Sequence, residues 1–328
     1  MARTRYATDR GLIARMGGTM FLLGLVFTGF VIALYFVIFD YGQSRGTGYS
    51  SDPIIVISIL IGLGVAFGSY YWSDKIALRA SGARLVSPND SRQAAELHAI
   101  VDRLCALADM PKPRVAIAPT QMPNAFATGR SSKVAVLCAT QGLLDKLEPR
   151  EIEGVLAHEM SHVAHKDVAV MTIASFLGII AALLVRFAFY SELFGGGGRG
   201  RGGGRGGNNG NALPIMLIVM VIGMVVYAIS FLLIRMLSRY RELSADRSGA
   251  LLTGRPSDLA SALVKVTGDM ARIPTKDLRA AEPLNAFYFA PAFHKRAGQM
   301  TLSNLFSTHP SLEKRLAELD KISKQLSR

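Results

Sequence analysis

The sequence predicts a mainly α-helical membrane protein in which four transmembrane helices, arranged as two hairpins, carry one split α+β domain with a small β-sheet. Three observations lead there. Four stretches of the 328 residues have no charged side chain: Met16 to Phe39, Pro53 to Ser73, Val168 to Val185 and Ala212 to Ile234. Each is close to the roughly 20 apolar residues that take a helix across a bilayer. An even number of crossings returns residues 1–15, 74–167 and 235–328 to one face, where the last two segments together suffice for one folded domain.

The first run follows Arg3, Arg5, Arg10 and Arg15, as a cleaved signal would. It is too long for a signal core, and FDYGQSRG after it lacks a small-residue cleavage site, so residues 16–39 read as a retained first transmembrane helix. The second is expected over 53–73, the third over 168–185 and the fourth over 212–234. A net charge of +13 would suit nucleic acid, but much of it lies beside the apolar runs, at Arg10, Arg15, Lys75, Arg79, Arg235, Arg239 and Arg241. That is the pattern of cytoplasmic flanks against anionic headgroups. It predicts a multi-pass protein of a bacterial-type inner or plasma membrane, with both termini and the split domain in the cytoplasm. Cys105 and Cys138 form no disulfide framework, which fits a reducing compartment.

Within 74–167, NDSRQAAELHAIVDRLCALADM has helical apolar spacing behind an Asp90 or Ser91 cap. PKPRVAIAP and SSKVAVLCAT alternate as strands do, with PNAFATGRS between them. EPREIEGVLAHEMSHVAH opens with Pro149 and acidic residues, a good helix start. Segment 235–328 reads as wholly helical. Residues 186–211 include GGGGRGRGGGRGGNNGN, whose eleven glycines leave little to bury and predict disorder. Arg199, Arg201 and Arg205 there run against the charge rule for a loop on the far side.

The chemistry centres on HEMSH. His158 and His162, four apart on a helix, project imidazoles from one face and can chelate one metal ion. Glu159 is rotated by about 100° and can reach a water on that ion without displacing a ligand. Zinc needs a third protein ligand to leave one position for water. A continuation to HExxHxxGxxH is excluded by His165 and Val168, and His165 lies too far along the axis from His158. SRYRELSAD is the better source: Glu242 can ligate while Asp246, one turn on, accepts the free ring N–H of a ligand histidine, His158 by preference. His162 precedes the third run and Glu242 follows the fourth, so both stand roughly 9 to 12 Å outside the membrane on one side. Asp167 reads as a cap or solvated residue at the helix junction, and Arg239 and Arg241 as headgroup anchors.

HEMSH, RELSAD, PNAFATG before a strand, LFSTHPSLEKRLAEL and four hydrophobic runs together resemble the HtpX-type membrane zinc metalloproteases, relatives of the CAAX prenyl proteases. The resemblance spans nearly the whole chain and implies a zincin-like catalytic domain of the gluzincin kind with one Zn2+ per chain. It implies His158, His162 and Glu242 as ligands, Glu159 as general base, and a role in membrane protein quality control under stress. It further suggests that Asn124, Ala125 and Phe126 form an edge strand to which an extended substrate adds. His309 is expected near the cleft, where it or Tyr240 would stabilise developing charge. The implied partners are protein and peptide substrates, membrane proteins, the bilayer and other membrane quality-control proteases. The competing readings are a non-catalytic membrane scaffold clamped by zinc, and RNA binding through the Gly/Arg run. Three ligands plus a spare carboxylate argue against a closed structural site. Three arginines without interleaved aromatics argue against nucleic acid.

Overall fold

Capping residues and apolar periodicity decide where the helices begin. The computed structural model describes residues 10–45, 60, 64, 67–68, 70–168, 170–175, 212–270 and 309–327. These fall into two units, one built from Met1–Met16, Gly68–Met171 and Arg235–Arg328, the other from Gly17–Phe67 and Thr172–Ile234.

In the second unit the description rests on α1 (Arg10–Arg45) and on the first part of α6 (Ala212–Thr253). Two windows, Ile13–Phe30 and Met220–Thr253, are long and apolar enough to cross a membrane. Phe21, Leu22, Leu25, Leu217, Val221 and Met224 are exposed, an arrangement that is costly in water and neutral in lipid. Helix α1 outruns the uncharged run at both ends, because nothing at Arg10 or Arg15 breaks a helix. Most of the expected span over 53–73 lies outside the described residues, as do most of 168–185, the Gly/Arg run and residues 271–308.

The first unit holds a four-stranded mixed sheet in the order β1-β2-β4-β3: β1 (Arg84–Leu85), β2 (Arg114–Ala118), β3 (Ala125–Thr128) and β4 (Val136–Thr140). β2 and β4 are parallel, in register Ala116 to Cys138, and the outer pairs are antiparallel. β3 is therefore an edge, tied to β4 by the Thr140 amide donating to the Asn124 carbonyl at 2.9 Å. Around the sheet run α2 (Ser73–Ser81), α3 (Arg92–Ala108), α4 (Gln141–Lys146), α5 (Pro149–Ala164), the end of α6, α7 (Pro256–Met270) and α8 (Leu312–Leu326). Ser91 caps α3, Thr140 caps α4 and Ser311 caps α8, each accepting a backbone N–H with its hydroxyl. Two elements escape the sequence patterns, β1 and α4, since two and six residues are too few to show a period.

Helix α5 is the buried axis. Every residue from Glu151 to Ser161 is buried, and the helix packs on α3, α7 and β3. Val155, Leu156 and Met160 join Leu104, Leu137, Leu259 and Leu319 in the main core. Glu151 fixes its start. Its Oε2 closes a capping box on the Glu148 amide at 2.9 Å and accepts Lys265 of α7 at 2.8 Å, while Ser261 of α7 donates to Oε1 at 2.6 Å. Burial acts to raise the carboxyl pKa, but the Lys265 and Ser261 hydrogen bonds outweigh it and hold the group below the usual range.

Replacing Glu151 with alanine strands these donors and should cost about 1–3 kcal/mol, read as a lowered thermal midpoint of the full chain in detergent at pH 7. A folded-state pKa below the unfolded value means the stabilisation is complete above the unfolded carboxyl range and disappears as pH falls through the folded pKa. The gap between Glu151→Ala and the parent protein should therefore narrow in acid.

Candidate metal centre

Two helices meet backbone to backbone. A Cβ on Gly249 of α6 would stand 2.8 Å from the His158 amide nitrogen, so only glycine permits the approach. Asp246 and Glu242, one and two turns earlier on α6, are thereby carried onto the histidine face of α5.

The result is a convergence of donor atoms. One ligand atom from each of His158, His162 and Glu242 lies within 4.8 Å of the others. The two imidazole Nε2 atoms are 3.2 Å apart, and the Glu242 oxygens stand 3.5 Å from His162 Nε2 and 3.7 Å from His158 Nε2. Ligands at zinc distances around a tetrahedral ion are separated by about 3.3 Å, so the donors fit one small cation. The other nitrogen of each ring faces a carboxylate: His158 Nδ1 lies 2.9 Å from Asp246 Oδ1, and His162 Nδ1 2.5 Å from Asp167 Oδ2. Protons on both Nδ1 atoms satisfy those oxygens and leave two basic Nε2 atoms facing each other, an arrangement that calls for positive charge between them.

Charge balance makes the same point. Glu159, Asp167, Glu242 and Asp246 are all buried. Against these four negative groups stand two guanidinium groups: Arg315, 2.6 Å from Asp246, and Arg241, 2.7 Å from Asp167. Four minus two leaves a deficit of two positive charges within this set when the histidines are neutral, the amount a divalent cation supplies. Protons respond to that deficit. Burial disfavours a charged His158, yet Asp246 and Glu242 raise its pKa to about 9. Burial pushes the Glu159 carboxyl up. Burial alone would also raise Asp167, but His162 and Arg241 bring it down to about 2.

Glu159 points toward the edge of the sheet. Its Oε2 accepts the Ala127 amide of β3 at 3.0 Å, which places this edge strand beside the buried carboxylate. His309, just ahead of α8, lies with Nδ1 2.9 Å from Glu242 Oε2.

Sequence comparison accounts for this arrangement. The profile of Peptidase family M48 matches residues 91–323, a span that contains the entire cluster. The chain belongs to peptidase family M48. It is 54% identical over 325 residues to Protease HtpX homolog 1 of Streptomyces coelicolor, covering 99% of this chain and 97% of that protein. It is 47% identical over 324 residues to Protease HtpX homolog of Moorella thermoacetica, covering 99% and 98%. Among solved structures, that of S. mikatae Ste24p aligns with 95% of this chain and 67% of its own, at a TM-score of 0.46 and 16% identity. The M48 chain is thus a membrane metalloprotease, a hydrolase acting on peptide or protein substrates, and its family implies a metal, generally zinc.

Several residues sit where local sequence gave no sign. Asp167 is neither a cap nor solvated: it is buried between His162 and Arg241, placed there by the turn at Lys166 that ends α5. Arg241 is correspondingly no headgroup anchor, its side chain being 11% exposed and spent on Asp167. Arg315, from the far end of the chain, is 1% exposed and grips both oxygens of Asp246 at 2.6 and 2.7 Å. The strand that carries Ala125 and Phe126 continues to Thr128 with Asn124 just ahead of it, and the amide nearest Glu159 is that of Ala127.

Arg315→Met leaves Asp246 buried without its cation. It should destabilise the M48 protease by about 3–5 kcal/mol, with Arg315→Lys intermediate because one ammonium cannot serve two oxygens in a fork. Thermal unfolding of the three proteins checks the order.

Proposed function

We propose that this M48 protease is a zinc-dependent endopeptidase that hydrolyses peptide bonds in damaged or misfolded membrane and membrane-near proteins. The observation that carries the reading is the meeting of two Nε2 atoms and one carboxylate at cation-ligand spacing, with a further carboxylate, Glu159, beside them. His158, His162 and Glu242 hold one Zn2+, with Asp246 fixing the His158 tautomer. Zinc there supplies a Lewis acid that polarises a water molecule and the scissile carbonyl.

The remaining steps belong to the protein. Glu159 removes the water proton and delivers it to the leaving amine, a double role for which burial and a raised pKa suit it. An extended peptide adds alongside β3 at Asn124, Ala125 and Phe126, on the side of the strand that faces Glu159. His309 holds Glu242 through Nδ1, and a share in stabilising the developing oxyanion is consistent with that position. The protein crosses the membrane four times, over 16–39, 53–73, 168–185 and 212–234, with 186–211 as the Gly/Arg-rich loop. The catalytic halves, 74–167 and 235–328, and both termini are cytoplasmic.

Glu159→Gln should retain one zinc per chain by elemental analysis but lose about 10²- to 10⁴-fold in the rate of casein cleavage, whereas His158→Ala or Glu242→Ala should lose the zinc. Undiminished cleavage by Glu159→Gln rules out the general-base assignment. Zinc binding without turnover of any unfolded protein by the parent chain favours a non-catalytic scaffold.

A further inference from the structure

His158 and His162 reach the metal position with their rings held in the same way but by different parts of the chain. On His158 the sequence of contacts runs Nδ1, Asp246, Arg315. On His162 it runs Nδ1, Asp167, Arg241. From this second relay we infer that Asp167, steadied by Arg241, is a positioning residue that aims His162 at the metal; the inference rests on the zinc triad proposed above.

The backbone is shaped to bring Asp167 there. Had α5 continued, a residue five places beyond His162 would lie about 140° around the helix from it. Instead α5 ends at Ala164, His165 donates its amide to the Ser161 carbonyl at 2.9 Å, and Lys166 takes up left-handed backbone at φ 57°. A lysine adopts that conformation at a cost, for lack of glycine's freedom. The turn at Lys166 brings Asp167 to the His162 side.

Arg241 completes the relay from α6. It directly precedes Glu242, so one turn of α6 contributes both a metal ligand and the guanidinium that holds the carboxylate behind another ligand. The His162 and Arg241 bonds fall on the same oxygen, Asp167 Oδ2. Asp167 is 3% exposed, so its charge is little screened and the ring has strong reason to keep its proton on Nδ1. That leaves Nε2 as the basic nitrogen directed at His158 and Glu242. A carboxylate in this position raises the ring's strength as a ligand, and loss of such a partner weakens metal binding about 10- to 100-fold.

The alternative is that Asp167 and Arg241 only staple two segments together. A neutral replacement of both residues separates the two roles, since it removes the staple without stranding a buried charge. Full-length protein in detergent is compared as parent, Asp167→Asn, and the double variant Asp167→Leu with Arg241→Met. Thermal unfolding without added metal reports folding, and competition with a chromophoric chelator reports zinc affinity. The double variant is expected to unfold near the parent temperature yet bind zinc about 10- to 100-fold more weakly. Asp167→Asn, which keeps an oxygen acceptor, should recover part of that loss. Zinc affinity of the double variant within twofold of the parent overturns the positioning role.

A measurement on the unaltered chain covers the case in which the variants do not fold. With 15N-histidine labelling, the His162 ring of the apo protein at a pH where it is neutral should be the Nδ1–H tautomer, and an Nε2–H tautomer overturns the inference. The triad itself is tested separately, because its failure would show as zinc retained in His158→Ala and Glu242→Ala.

Discussion

Four carboxylates withdrawn from water within one cluster are the constraint that the rest of the first unit serves. Glu159, Asp167, Glu242 and Asp246 would repel one another and lose hydration if left unmatched, a penalty of several kcal/mol for each ion. Each therefore meets a donor: Glu159 the Ala127 amide, Asp167 and Asp246 an arginine and an imidazole each, Glu242 the His309 ring. What these donors leave uncompensated is a double negative charge, the amount that a divalent cation between the three converging ligand atoms would balance. Stability and chemistry thus draw on one electrostatic requirement, which makes the centre costly to build incompletely.

The fold meets that requirement with distant segments. Helix α5 supplies His158, Glu159 and His162 from the core, and it is fixed at its start by Glu151 and at its end by the turn at Lys166. Helix α6 supplies Arg241, Glu242 and Asp246 and closes on α5 because Gly249 has no side chain. The segment leading into α8 adds His309 and Arg315, so that residues near the C-terminal end finish a site begun at His158. β3 is the edge strand beside this cluster, its Ala127 amide bonded to Glu159. In the proposed mechanism the strand that would pair with a peptide also touches Glu159, so binding and proton transfer would share one boundary.

How much of this could be read from the sequence follows from whether the information is local. His158, Glu159 and His162 are legible because the helical repeat puts i and i+4 on one face, and Glu242 and Asp246 are legible for the same reason. The Ser91 cap of α3 and Pro149 in the first turn of α5 are likewise written in neighbouring residues. Asp167, Arg241 and Arg315 are not, since their chemistry depends on a left-handed turn, a backbone contact at Gly249 and the return of a helix more than 140 residues away. A basic residue beside an apolar run and a buried ion-pair partner look identical until the fold brings a carboxylate to one of them. The short elements β1 and α4 were invisible for lack of length.

In the proposed centre, two imidazoles from α5 and one carboxylate from α6 bind a single zinc ion while one coordination position remains for a small oxygen ligand. X-ray absorption at the zinc edge of the full-length protein tests this most directly. Four nitrogen or oxygen neighbours at about 2.0–2.1 Å, outer-shell scattering from two imidazole rings and no sulfur are expected. A sulfur neighbour, a single imidazole, or four imidazoles with no place for water would contradict it.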